Sequence, residues 1–149
     1  MARTLSDSTI ATVKATAPVL QQHGVEITTA MYKRLFVNEE VKAMFDMAAQ
    51  ESGEQPKRLA AAILGYAQNI DKLQNLDATV QRMVQRHVEC GVHEEHYPYV
   101  ADALLPAIKD VIGDAATDDI LTAWGEAYWF LADILIGKEA EAYKAQGQA

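Results

Sequence analysis

The 149-residue chain has almost no cysteine and no long uninterrupted apolar run. Its single Cys90 excludes an intramolecular disulfide and is typical of a reducing compartment. No window approaches the ~20 apolar residues that a membrane-spanning helix needs. The first residues, Met-Ala-Arg-Thr-Leu-Ser-Asp, lack the apolar core of a secretory signal. We therefore expect a cytoplasmic protein without stable membrane insertion.

Basic residues are also scarce. The chain has 13 Lys and Arg against 21 Asp and Glu, which gives a net charge of -8. Binding to nucleic acid would have to overcome repulsion from the phosphates, so we expect no nucleic-acid partner. Hydrophobic residues make up 50% and charged residues 23%, which is typical of a globular protein. The length suits one domain spanning residues 1–149.

Apolar residues recur with helical spacing along the chain. Sustained alternation and Asn-Gly hairpins, the signals of strands, are missing. Apolar stripes of helical period occupy residues 10–17, 27–35, 41–45, 59–73, 80–87, 97–111 and 121–135. The pattern predicts an all-α protein of seven to eight unequal helices packed at steep angles.

Capping residues predict where the first helix begins and ends. Ser6 and Asp7 can cap its start, and Gly24 is expected to follow its end. Pro18 falls inside this segment and should kink or loosen it.

Further along, Asn38 can cap a short third helix, and residues 46–54 are expected to form a polar loop. Pro56 suits the first turn of the next helix. Gln55 precedes this proline and is therefore biased away from helical geometry.

Five separated segments carry the strongest functional signal. They are Tyr32 with Leu35-Phe36, Met44-Phe45-Asp46-Met47, Glu54-Gln55-Pro56, Arg86-His87 through His96-Tyr97-Pro98, and Asp114 through Trp124 to Tyr128. Together and in this order they resemble the single-domain bacterial globins and the globin half of flavohaemoglobins, over nearly the whole chain. The resemblance implies a globin fold around one haem b (iron protoporphyrin IX). The absence of Cys-x-x-Cys-His excludes covalent c-type attachment.

His87 is the candidate metal ligand. On the pattern alone, a histidine on an apolar stripe is more often a core residue with a satisfied ring. The resemblance instead places His87 at the proximal iron ligand of bacterial globins. A zinc site built from His87, His93 and His96 is disfavoured, because these residues straddle a helix junction without a suitably spaced acidic or cysteine partner.

The resemblance further implies that Tyr97 and Glu139 lie behind the proximal histidine. A carboxylate that accepts a hydrogen bond from the imidazole fixes its tautomer and makes it a better electron donor. Without the resemblance, Tyr97 would be a core side chain and Glu139 a solvated surface charge.

The helical phase of Glu139 supports an inward position. It follows Tyr128 by eleven residues and Leu131 by eight, which puts it within about 60° of the apolar stripe. Glu141 turns away by about 200°.

On the ligand side, the resemblance implies that Tyr32 donates to bound O2, that Gln55 is the polar residue of the pocket and Leu59 its apolar cap, and that Phe45 wedges against the porphyrin. On pattern alone, Tyr32 would simply be a packed aromatic. Arg82 and Arg86 are candidates for contacts with the haem propionates.

The function expected from these residues is reversible binding of O2, with CO and nitric oxide as further diatomic ligands. The alternative is an enzyme, a nitric oxide dioxygenase, with weak peroxidase activity as a further option. The chain has no Gly-x-Gly-x-x-Gly and no room for a reductase, so turnover would need a flavin reductase in trans. A gas sensor would need an output domain.

A weak homodimer is also expected, in part from the resemblance. Tyr128, Trp129 and Phe130 are adjacent on the last helix and spread over roughly 200° of it. They cannot all face one core, so at least one should be exposed or covered by a partner.

Overall fold

The described part of the chain folds into α-helices, several of which are joined by short turns. The computed structural model describes residues 5–43, 54–145 and 147, which form seven α-helices and no strand. The helices are α1 (Asp7–Ala15), α2 (Ala17–Leu35), α3 (Glu39–Lys42), α4 (Glu54–Gln68), α5 (Asp77–Cys90), α6 (Tyr97–Ile112) and α7 (Asp118–Ala145). Short 3-10 turns span Leu73–Leu76, Glu94–His96 and Gly113–Ala115. The predicted all-α class is confirmed.

The first helix begins as predicted but ends early. The Ser6 side chain accepts a hydrogen bond from the Thr9 backbone N–H at 3.1 Å. The helix then ends at Ala15, because Pro18 has no N–H with which to continue the hydrogen-bond ladder, and it lies in the first turn of α2. The prediction that Gly24 follows the end of the first helix is wrong. Gly24 is buried within α2, where a Cβ would lie 3.3 Å from that of Ala60 on α4.

Two predictions around α4 also need correction. Gln55 lies inside α4 and not in extended backbone, because the helix begins at Glu54 and the first turn tolerates a proline. The stripe predicted over residues 59–73 is cut at Gln68. There the Asn69 side chain donates to the Gly65 carbonyl at 2.9 Å and competes with continued helix.

Helix α2 is the central element, and its most extensive contacts are with α4 and α6. The Thr28 hydroxyl donates to the Pro56 carbonyl at 2.8 Å, which ties the first turn of α4 to α2. Asn38 caps α3 as predicted by accepting from the Val41 N–H at 3.2 Å. Helices α5 and α7 pack together beside the main core. None of the described helices is both long and apolar enough to cross a membrane.

Candidate functional site

A cavity of about 320 Å³ lies between the helices. Its walls come from α2 through α7 and are mainly apolar. Apolar residues of the wall include Met31, Leu59, Ile63, Met83, Leu104 and Leu135. Polar side chains are few, and they include Arg86, His87, His96, Tyr97 and Tyr128. An apolar cavity with a small number of converging polar groups is the usual form of a cofactor site.

His87 enters this wall from the last turn of α5. Its Nδ1 atom lies 2.7 Å from Glu139 Oε2 and 3.1 Å from the Tyr97 hydroxyl. The Tyr97 hydroxyl donates to Glu139 Oε1 at 2.6 Å, which closes a three-membered hydrogen-bonded group. Glu139 is 3% exposed, so its carboxylate has been withdrawn from water and its hydrogen bonds come from protein groups.

The protonation of this group follows from its surroundings. Burial, followed by the hydrogen bond to Glu139, raises the pKa of Tyr97 far above its usual value, so the phenol keeps its proton and donates it. An ionised carboxylate only accepts hydrogen bonds, so the proton of a neutral His87 ring belongs on Nδ1. Nε2 then carries the lone pair, and no described residue forms a hydrogen bond with it.

These features fit an iron porphyrin. A flat apolar macrocycle suits the apolar walls, and the Nε2 lone pair of a neutral imidazole on a helix suits an axial iron ligand. Arg86 is exposed at its side chain yet contributes to the wall, so it can reach the carboxylate-bearing edge of such a group. Among the described residues, no group of three or more His, Cys, Asp or Glu side chains could hold a bare metal ion.

The other predicted site residues are distributed as follows. Leu59 lines the cavity. Tyr32 is buried and its ring stacks on Phe36 at 5.4 Å, but the cavity wall contains its neighbour Met31 and not Tyr32 itself. Arg82 is exposed outside the wall, 3.4 Å from the Thr79 hydroxyl.

Two further predicted site residues are described only in part or not at all. Gln55 is described only as part of the first turn of α4. Phe45 lies outside the described residues.

Three residues near the site are not among the haem-site residues that the sequence predicts. His96 lines the cavity, and its Nδ1 accepts from the His93 backbone N–H at 2.9 Å. The Tyr128 hydroxyl donates to the Tyr97 carbonyl at 2.7 Å. Tyr143 donates to the Val92 carbonyl at 2.7 Å. The spacing of Tyr143, four residues after Glu139 on one helix, was the signal that could have revealed it.

Comparison with known proteins agrees with this architecture. The globin family profile matches residues 15–135. A flavohemoprotein of Xylella fastidiosa is 49% identical over 140 residues, which cover 94% of this chain but only 35% of that relative. The chain thus spans about a third of the relative's length.

Two solved structures share the fold. One is an engineered carbene transferase from Rhodothermus marinus, whose name gives nitric oxide dioxygenase as a candidate assignment only. It has a TM-score of 0.91 and 41% identity, and the match covers 97% of this chain and all of that one. The other is a flavohemoglobin of Malassezia yamatoensis with bound FAD and heme. Its TM-score is 0.83 at 34% identity, with 94% of this chain and 38% of that chain covered.

The chain therefore belongs to the globin family. Within it, the chain is a globin of the flavohaemoglobin type.

Proposed function

We propose that this globin binds one haem b non-covalently through His87 and takes O2 as a reversible ligand. The observation that carries the proposal is the wall position of His87, with Nδ1 bonded to buried Glu139 and Nε2 left for a metal. When bound, the ferrous haem supplies the site for O2, CO or nitric oxide. The apolar walls exclude water from that site. The cytoplasmic location expected from the sequence remains a prediction.

The test compares two histidines in similar settings. The His87 side chain is 30% exposed and contacts Glu139, while that of His23 is 35% exposed and contacts Glu26 at 3.1 Å. Each protein is reconstituted with haem and then reduced. The parent and His23→Ala should hold one haem per chain and bind O2 and CO reversibly. His87→Ala should lose stoichiometric haem or change its ferrous spectrum, and an unchanged spectrum would reject the proposal.

A second candidate function is nitric oxide dioxygenation. Glu139 favours it, because a buried carboxylate behind the ring makes His87 a stronger electron donor than reversible O2 binding requires. The reaction combines nitric oxide, O2 and one electron into nitrate. The electron would come from a flavin reductase, in trans or on the same polypeptide. The name and additional length of the flavohemoprotein relatives suggest that they carry such a reductase.

The two functions separate in one assay. Nitric oxide is added to the O2-bound protein with a generic flavin reductase and reduced nicotinamide cofactor. Sustained nitric oxide consumption, with one nitrate formed per nitric oxide, supports the enzyme. A single stoichiometric turnover followed by arrest supports an O2-binding protein that does not couple to a reductase.

A further inference from the structure

Two side chains of the last helix make polar contacts with the segment that carries His87. Glu139 bonds to the imidazole ring, and Tyr143 lies one turn further along the same face of α7. Tyr143 is 6% exposed. Its hydroxyl donates to the Val92 carbonyl at 2.7 Å and lies 3.4 Å from the carbonyl of His87 itself. Both contacts are with the backbone, beside the ring contact that Glu139 makes.

This backbone is the C-terminal cap of α5. Gly91 has a φ of 80°, a left-handed conformation that favours glycine, and its N–H donates to the Val88 carbonyl at 3.2 Å. The Val92 N–H donates to the His87 carbonyl at 2.8 Å. This is the Schellman arrangement, in which the final hydrogen bond closes on the residue three positions before the last residue of the helix, Cys90. His87 is that residue, so its backbone position depends on Val92.

Val92 is held from both sides. Its N–H fixes His87, its carbonyl accepts from Tyr143, and its side chain lines the cavity. The Tyr143 ring stacks on His93 with centroids 4.5 Å apart and an interplanar angle of 20°, which orients the hydroxyl toward Val92. A short path thus runs from α7 through one residue to the backbone of the candidate ligand.

We propose that Tyr143 is a positioning residue for the proximal ligand. Glu139 fixes the imidazole ring, and Tyr143 fixes the helix cap to which the ring is attached. Helix ends fray unless their orphan carbonyls are satisfied, so this second contact keeps the ligand from moving with the last turn. The inference rests on the proposed role of His87 as iron ligand. The competing interpretation is that Tyr143 only packs α7 against α5.

The direct test is Tyr143→Phe, which keeps the stacked ring and removes the donor. Losing one hydrogen bond should speed haem transfer to an excess of apomyoglobin by about two- to tenfold. Amide exchange at Gly91 and Val92 in the haem-free protein should speed by a similar factor, and the ferrous iron–histidine stretch should shift. Tyr99→Phe is the control, since Tyr99 is 41% exposed on α6. It should leave all three readouts at parent values, and the same result for Tyr143→Phe would overturn the proposal.

A second variant, His93→Ala, tests the proposal independently in case Tyr143→Phe folds poorly. His93 is exposed, and His93→Ala removes the ring on which Tyr143 stacks. It should change haem transfer and amide exchange in the same direction by a smaller factor. No change in either would contradict the proposed path.

Replacing the His87 side chain with free imidazole distinguishes a positioning role of Tyr143 from a packing role. In His87→Gly with added imidazole, the ligand is detached from the α5 backbone. Tyr143→Phe should therefore no longer shift the iron–nitrogen stretch, and an equal shift in both backgrounds would show that the effect bypasses His87. If imidazole fails to restore that stretch in His87→Gly, the ligand assignment itself fails. Amide exchange in the haem-free protein then still decides whether Tyr143 holds the cap.

Discussion

At the residue scale, the candidate site is organised around one buried carboxylate. Glu139 accepts hydrogen bonds from both the His87 ring and the Tyr97 hydroxyl. These two donors compensate for part of its desolvation, so the negative charge can remain next to the imidazole. If His87 is the iron ligand as proposed, this charge would increase electron donation by the ring, the property on which the proposed dioxygenase activity depends.

Glu139→Gln should therefore raise the reduction potential of the iron and lower the ferrous iron–histidine stretching frequency. The reason is that a neutral amide replaces the negative charge behind the ring. Spectroelectrochemical titration and resonance Raman spectroscopy measure the two effects. Glu141→Gln is the matched control, since Glu141 is exposed on the same helix. If both variants keep the parent values, Glu139 has no electronic influence on the ligand.

Tyr32 is predicted from the resemblance to donate a hydrogen bond to O2. Its hydroxyl is absent in Tyr32→Phe, and losing a bond to a partly charged acceptor should speed O2 dissociation by roughly ten- to a hundredfold. CO carries less charge, so its dissociation should change little. Stopped-flow measurement of both rates tests this, and an unaltered O2 rate would show that Tyr32 serves only in packing against Phe36.

Sequence reasoning reached the His87 group through the family resemblance, and helical phase supported the inward position of Glu139 because it indicates which face of a helix a residue occupies. Eleven and eight residues from known stripe positions put Glu139 inward and Glu141 outward, and the structure agrees. Phase says nothing about backbone acceptors, however. The contact of Tyr143 with Val92 depends on the left-handed turn at Gly91, which only the folded chain brings against α7.

At the element scale, the crossing of α2 and α4 sets one side of the cavity. Gly24 lets the helices approach, while Thr28 holds the start of α4 in place. The sequence showed both a glycine and a proline in this region, but not which one ended a helix. The first helix ends before Pro18 because proline lacks the backbone N–H that would continue it. Gly24 instead allows a long-range contact between α2 and Ala60 of α4.

Two glycines on α2 and α4 should respond oppositely to substitution. A Cβ at Gly65 would meet nothing within 4 Å, so Gly65→Ala should stabilise the protein by about 0.5–1 kcal/mol through helix propensity. Gly24→Val would force α2 from Ala60 and should cost about 1–3 kcal/mol. Urea unfolding of the haem-free proteins measures both. A Gly24→Val protein as stable as the parent would contradict the close crossing.

At the scale of the whole molecule, the hydroxyls of three tyrosines link the core to the site. Burial raises the pKa of Tyr66, Tyr97 and Tyr128 above the usual value. Each hydroxyl donates to a fixed acceptor on α6 or α7, and Tyr66 donates to the Ala127 carbonyl at 2.7 Å. Tyr128, Trp129 and Phe130 are each half-buried, so none of the three is fully exposed as the sequence predicted for at least one of them. The homodimer remains a prediction.

These tyrosines give the stability a defined pH dependence. Above about pH 10 the unfolded chain loses phenolic protons that the folded chain keeps, so the free energy of unfolding falls as pH rises, by up to about 1.4 kcal/mol per pH unit for each such tyrosine. Below that pH the contribution is fully present. Tyr66→Phe should reduce this slope by one tyrosine's share, while Tyr99→Phe, at an exposed position, should not. Urea titrations between pH 8 and about 11 compare the slopes. Equal slopes in parent and Tyr66→Phe would contradict the protection of this hydroxyl.

The central claim is that His87 is the iron ligand of this globin. Resonance Raman spectra of the ferrous protein, prepared with natural and with nitrogen-15-labelled histidine, test it most directly. An iron–histidine line that shifts with the label in the parent and in His23→Ala, and that is absent from His87→Ala, is the result we expect. A label-sensitive line that persists unchanged in His87→Ala would place the ligand elsewhere in the chain and contradict the account.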